Sequence, residues 1–200
     1  MADVDLYLDP VCPFSWVTAR WLLDAGEATG TPVTLRQMSL AVLNEGQDTD
    51  GKQRRMMERS TRLGRLFAAA VDERGPEAFA ALYASIGRRI HVDGDDLTAS
   101  AVRAALAENG LAQGLAEAQD DAGFDQAVKQ AHEASQDALG DEAGSPIIAV
   151  DGRAFSGPVL TRTLKTPAGV RLLEAVLTMA AVPEFAALQR PYEGPPTIEA

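Results

Sequence analysis

The stretch Asp9-Pro10-Val11-Cys12-Pro13-Phe14-Ser15-Trp16 decides the fold of this chain, and it holds the single cysteine. Ahead of it Val4-Asp5-Leu6-Tyr7-Leu8 alternates apolar with polar; behind it Trp16 to Leu23 is amphipathic. That order predicts a strand, a short turn and a helix, with Cys12 at the helix N-cap and Pro13 at the first helical position. Proline suits that position because its missing N–H would have had no intrahelical partner. A thiol so placed faces free amide N–H groups and the positive end of the helix dipole. Both favour thiolate, so the residue types alone predict a sulfur more acidic than the free-cysteine value of about 8.5. The plain alternative is a lone cysteine packed as a small hydrophobe.

Two hundred residues suit one domain, or one domain carrying an insertion. Apolar content of 46% and charged content of 24% are ordinary for a globular protein with a real core. A net charge of −11 disfavours nucleic acid and anionic membrane surfaces as partners. No apolar run approaches the ~20 residues of a membrane span. The acidic start Met1-Ala2-Asp3-Val4-Asp5 is unlike a basic signal peptide. One cysteine forms no internal disulfide, which fits a reducing compartment. The expected location is therefore cytoplasmic.

Beyond the first helix, Gly26 and Gly30 offer stops, and Pro32 to Met38 reads as a second strand, giving β-α-β with parallel strands. From about Asn44 to Leu139 apolar residues fall three and four apart, as in Leu63, Leu66, Phe67, Ala70 and in Phe79, Leu82, Tyr83, Ile86, Ile90. This predicts four or five helices, with Thr98 an N-cap. Strand character returns at Pro146 to Val150; Asp151-Gly152 is a hairpin turn signal, and Arg153 to Ser156 follows. Val170, Leu173, Val176, Leu177 and Ala180 mark a last helix, and the proline-containing tail beyond Arg190 reads as an extended surface segment. The fold class is α/β: a thioredoxin-like β-α-β … β-β-α fold interrupted by an all-helical insertion. The expected division is 1–43 and 141–200 for the thioredoxin-like parts and tail, and 44–140 for the insertion.

Several side chains stand out as carriers of chemistry. Ser15 lies one turn beyond Cys12, where its hydroxyl and N–H can bond a thiolate; otherwise it bonds local backbone. Having no second thiol to resolve a mixed disulfide, the site would be monothiol, and a second small thiol must release the adduct. His91 ends a helix in Ile86-Gly87-Arg88-Arg89-Ile90-His91, where a cation would suit the dipole. His132 reads as a packed helix residue. Their spacing with one cysteine gives no metal-ligand pattern, so no metal is expected. Arg55, Arg59 and Arg62 share a helix face with Arg54 and Arg65 nearby, either an anion-reading rim or a face paired with its own carboxylates. No phosphate loop or dinucleotide fingerprint is present, and no tightly bound cofactor is expected.

The string Asp9 to Trp16, taken with Met38-Ser39-Leu40-Ala41-Val42-Leu43-Asn44-Glu45, resembles DsbA-type thioredoxin-fold oxidoreductases. Within them it is most similar to the mycothiol-dependent nitroreductase branch; kappa-class glutathione transferases and 2-hydroxychromene-2-carboxylate isomerases are neighbouring branches. The likeness covers essentially the whole chain. It departs at Ser15, where those oxidoreductases usually carry a second cysteine. The resemblance implies a catalytic Cys12 supported by Ser15. It implies contacts to a thiol or substrate from Pro13, Phe14, Trp16, Asn44, His91, Ser145, Pro146, Gly157 and Pro158, with Pro146 a cis-proline facing the cysteine. It implies mycothiol or glutathione as co-substrate, acting on mixed disulfides or on electrophilic or nitroaromatic small molecules; a homodimer is left open. Of 18 basic residues 15 are arginine, a bias that fits actinobacteria, where the branch uses mycothiol. Two alternatives stand beside this reading: a kappa-like transferase or isomerase, whose relatives carry serine at the Cys12 position, and a non-catalytic thiol- or peptide-binding module.

Overall fold

The computed structural model describes residues 2–48 and 50–198. One mixed sheet contains β1 (Val4–Leu8), β2 (Val33–Gln37), β3 (Ile147–Val150) and β4 (Arg153–Ser156) in the order β2-β1-β3-β4. β1 runs parallel to β2 and antiparallel to β3, and β3 pairs antiparallel with β4. The helices are α1 (Pro13–Thr29), α2 (Leu40–Leu43), α3 (Gly51–Arg74), α4 (Glu77–His91), α5 (Ala99–Glu108), α6 (Asp125–Leu139) and α7 (Thr166–Ala180). Two short 3-10 segments, Gln113–Asp120 and Ala122–Phe124, precede α6. The order is that of the interrupted thioredoxin-like fold: among the described residues, every helix and strand between β2 and β3 is helical.

The strand pattern explains the layers. Val4, Leu6 and Leu8 are fully buried and share a core with Ile148, Val150, Trp21, Leu22, Leu173 and Val176. α1 and α7 pack together there, and the Trp21 Nε1–H donates to Gly169 O at 2.9 Å. All four β3 residues are buried, because α6 packs on β2, β3 and β4 over the opposite face. A continuous apolar strand is the pattern for a strand covered on both sides. α3 and α4 extend the core beside the sheet through Leu63, Leu66, Phe67, Phe79, Leu82 and Ile86.

Local signals set the joints. Asp151 (φ 48°) and Gly152 (φ 78°) both take the left-handed conformation of a two-residue hairpin turn. The Thr98 hydroxyl accepts from the Ala101 N–H and caps α5. Beyond Ala180 the chain forms no further helix or strand among the described residues. It is tied down instead, by Phe185 edge-on to Phe155 (5.8 Å) and by the Thr197 N–H donating to Thr161 O (2.8 Å). β1 is therefore central, and its C-terminal end delivers Asp9 to Cys12 to the middle of the sheet edge where α1 starts.

Candidate active site

Cys12 occupies the N-cap of α1 in extended conformation (φ −78°, ψ 115°), with Pro13 in the first turn. Its sulfur donates to Ser145 O at 3.3 Å. Ser15 is fully buried, and its Oγ lies 2.5 Å from Ser145 Oγ. The Asp9 N–H donates to the same Ser145 Oγ at 2.8 Å. With one lone pair of Ser145 taken by that amide, its proton is free to go to Ser15 Oγ. The Ser15 proton is then left to point at the Cys12 sulfur. Asp9, Ser145, Ser15 and Cys12 thus form a donor relay ending on the thiol. The peptide bonds Ser145–Pro146 and Gly157–Pro158 are both cis.

The acid strength of Cys12 differs from the sequence expectation. Only 6% of the residue is exposed, and burial pushes the thiol above its ordinary value. The Ser15 hydroxyl and the N–H groups of Ser15 and Phe14 pull it down, and the nearby Asp9 carboxyl pushes it up. The helix end acts in the expected direction, but desolvation outweighs it. Ser145 O adds to the same outcome, since an acceptor that bonds S–H favours the neutral form.

Asp9 is the functional residue that sequence reasoning missed. It is 1% exposed and accepts from three donors: the Val11 N–H (2.9 Å), the Leu40 N–H (2.7 Å) and the Ser60 hydroxyl (2.5 Å). Burial raises its pKa against the pull of those three bonds. It joins the cysteine turn to the start of α2 and to the middle of α3. The available signal was an acidic residue directly after an apolar strand, a common arrangement with many ordinary explanations.

Trp16 and His91 come together through a gap in α4. Tyr83, Gly87 and His91 stand four residues apart on one helix face, so their positions stack along a single ridge. The Trp16 indole lies at Gly87, where an added Cβ would sit 2.4 Å from Cζ3. It is flanked by the His91 ring (5.7 Å, stacked) and the Tyr83 ring (5.8 Å). His91 Nε2 is 2.9 Å from Pro10 O, which fixes it as the protonated nitrogen of a neutral ring, and burial depresses its pKa. The expected helix-end cation is in fact a neutral wall of the cysteine turn. The Tyr83 hydroxyl is buried without a partner.

The other candidates fall into three groups. Pro158 is tied to α1, its carbonyl accepting from Thr18 Oγ1 at 2.9 Å, and the Gly157 N–H donates to Pro146 O at 2.8 Å. Phe14 lies edge-on to Tyr192 of the tail, with centroids 5.3 Å apart. Asn44 turns back to its own helix, donating from Nδ2 to Leu40 O at 2.7 Å, and makes no described contact with the cysteine. His132 is buried on α6, outside this constellation. Arg62 and Arg65 pair with Asp120 and Asp125, and Arg59 lies 3.8 Å from Asp96, so these three form ion pairs. Among the described residues no group of three or more His, Cys, Asp or Glu side chains is placed to hold a metal, and no helix is long and apolar enough to cross a membrane.

Comparison with known proteins gives a consistent result. The family model described as Rv2466c-like, mycothiol-dependent nitroreductase Rv2466c, matches residues 11–190. The uncharacterised protein Rv2286c of Mycobacterium tuberculosis is 30% identical over 193 residues, covering 96% of this chain and 83% of that protein. Among solved structures, a Streptomyces coelicolor protein of the DsbA oxidoreductase type, SCO1869, superimposes with a TM-score of 0.59 at 17% identity, over 95% of this chain and 94% of that one. A 2-hydroxychromene-2-carboxylate isomerase gives 0.59 at 16% identity, over 89% and 94%. The cytosolic disulfide reductase DsbM of Pseudomonas aeruginosa, solved with glutathione, gives 0.53 at 18% identity, over 88% and 99%. At these identities the structural likeness establishes the DsbA-like thioredoxin fold.

Proposed function

Because this chain belongs to the Rv2466c-like family of mycothiol-dependent nitroreductases, we propose that it is a cytoplasmic thiol-dependent oxidoreductase working through one nucleophilic cysteine. Its co-substrate is a low-molecular-weight thiol, mycothiol or glutathione, and its substrates are mixed disulfides or electrophilic small molecules such as nitroaromatics. The observation that carries this reading is the relay ending on Cys12. A serine occupies the place where a second thiol would resolve the adduct, and it is held against Ser145 at 2.5 Å rather than left to solvent.

The chemistry follows from that arrangement. The Cys12 thiolate attacks one sulfur of a disulfide, the S–S bond breaks, and one thiolate leaves while Cys12 keeps the other half as a mixed disulfide. Ser15 has no sulfur to attack that bond, so a second small thiol attacks the adduct, gives a new disulfide and returns Cys12 as thiolate. Two thiols are oxidised for each disulfide reduced. Ser145 O, 3.3 Å from the resting sulfur, is the main-chain group best placed to receive an incoming extended thiol. When that carbonyl is claimed by substrate, Cys12 loses its acceptor, and the Ser15 hydroxyl with the Ser15 and Phe14 N–H groups is left to hold the thiolate. In this reading the helices between 44 and 140 wall the cleft through Trp16 and His91.

Intact mass after incubation with oxidised mycothiol or oxidised glutathione tests the proposal. One thiol adduct per chain is expected, absent in Cys12→Ser and removed by the reduced thiol. A protein that stays unmodified at every thiol concentration refutes it and leaves the transferase and binding-module readings.

A further inference from the structure

The tail beyond α7 does more than cover surface. Phe185 rests edge-on to Phe155, Thr197 donates to Thr161 O and forms a bridge with Arg162, and Pro196 between these regions is buried. Pro191, Pro195 and Pro196 fix three φ angles, so this strap is held with little remaining chain entropy to lose. Between the pins the strap passes the start of α1, where Tyr192 meets Phe14 at 5.3 Å with ring planes 65° apart. Tyr192 is not needed as an anchor, because the strap is fixed on both sides of it and 47% of the residue is open to solvent. The large apolar residues left exposed among the described residues are Val159, Val182, Leu188 and Tyr192, all in the last quarter of the chain. Val159 follows the Gly157–Pro158 turn whose carbonyl is bonded by Thr18 of α1. Exposed apolar surface gathered beside a reactive group marks a binding face more often than chance scatter does.

We infer that Phe14 and Tyr192 form an aromatic notch beside Cys12, so that the C-terminal strap supplies a specificity residue for flat aromatic substrates. Two rings set edge-to-face leave a corner in which a third ring can stack on one face and meet the edge of the other, the geometry aromatic groups prefer. Phe14 is two residues beyond Cys12 in the first turn of α1, so a ring seated in the notch carries its attached sulfur or electrophilic atom towards the thiol. An aliphatic substrate has no such contact. This inference rests on the thiol chemistry proposed above and adds the class of substrate that the strap selects.

The test compares two neutral disulfides, aromatic dithiodipyridine and aliphatic bis(hydroxyethyl) disulfide, by the rate of mixed-disulfide formation on Cys12, read by acid quench and intact mass. Comparing variants cancels the intrinsic reactivity of each reagent. Tyr192→Ala is expected to slow the aromatic reagent by about 3- to 10-fold, the factor set by losing an aromatic pair. The same change should leave the aliphatic rate within about twofold. Tyr192→Phe, which keeps the ring, should keep the parent ratio and shows that the strap still docks. Equal slowing of both reagents, or no change in either, overturns the inference while the thiol chemistry stands. If the parent protein forms no adduct with either reagent, the thiol reading fails and this inference falls with it.

Discussion

Gly87→Ala should destabilise this protein, against the usual effect of that substitution in a helix. In a helix interior, alanine is favoured over glycine by about 1 kcal/mol. Here the added methyl would sit 2.4 Å and 2.6 Å from two carbons of the Trp16 ring. That is roughly 1 Å inside the distance at which carbon atoms attract. The indole has no free direction to yield: Tyr83 and His91 flank it one helical turn to either side. Overpacking of a built core typically costs about 1–3 kcal/mol, and disturbing the two ring contacts adds about 0.5–1.5 kcal/mol for each one lost. After the helical gain is subtracted, the net loss is about 1–3 kcal/mol. For a chain of this size that lowers Tm by roughly 3–9 °C. Thermal melting gives the sign, and the iodoacetamide rate at Cys12 shows whether a displaced Trp16 disturbs the cysteine turn, which should then react faster. A Gly87→Ala protein that melts at or above the parent temperature with an unchanged alkylation rate refutes the notch.

Other consequences can be measured with simple variants. Alkylation of Cys12 against pH should show a midpoint above that of a free thiol, about 8.5, and Ser15→Ala should raise it further because a donor to the thiolate is lost; a midpoint below the free value would contradict the burial seen here. Asp9→Asn should lower that midpoint by removing a negative charge, an effect separable from folding by checking that Tm and alkylation pH profile do not move together. Ser145→Ala leaves the Asp9 N–H without its acceptor and should cost about 1–3 kcal/mol in urea unfolding; a loss within experimental error would show that the hydroxyl is replaceable. The pKa of His91 is depressed in the folded protein, so the unfolded chain binds the extra proton first. Stability is then full above the unfolded histidine value of about 6.5 and falls as pH drops through the folded value. His91→Gln should flatten that acid limb, and an unchanged limb would place the acid sensitivity elsewhere.

What could be read in the sequence was what neighbouring residues decide. Pro13 after Cys12, Asp151 with Gly152, and Thr98 ahead of an apolar repeat each act within a turn, and each sits where its local chemistry requires. The relay was only half legible. Ser15 and Ser145 could be picked out separately, but their contact joins residues 130 positions apart, and the Ser145–Asp9 contact spans 136. Asp9 gave no sign of its three donors because two of them, Leu40 and Ser60, arrive on other elements. The acidity of Cys12 was read with the wrong sign for the same reason. The helix start is local and visible, whereas the burial that outweighs it comes from the whole tertiary structure. Asn44 stood out through its string, yet its side chain is spent on its own helix.

The central place of β1 also fixes when the thiol becomes guarded. Synthesis proceeds from the N-terminus, so Cys12 emerges among the first residues made, while its acceptor carbonyl on Ser145 and the strand that follows it come more than 130 residues later. Pairing β1 with β3 must close that long loop, a slow event compared with forming α1 or the β1–β2 pair. Until then the cysteine stands in water at its ordinary acidity, and Ser15 has no hydroxyl to lean on. The nascent chain is therefore the form most open to adventitious oxidation or alkylation. The last dozen residues, which bring Tyr192 to Phe14, finish a site whose nucleophile was the first part made.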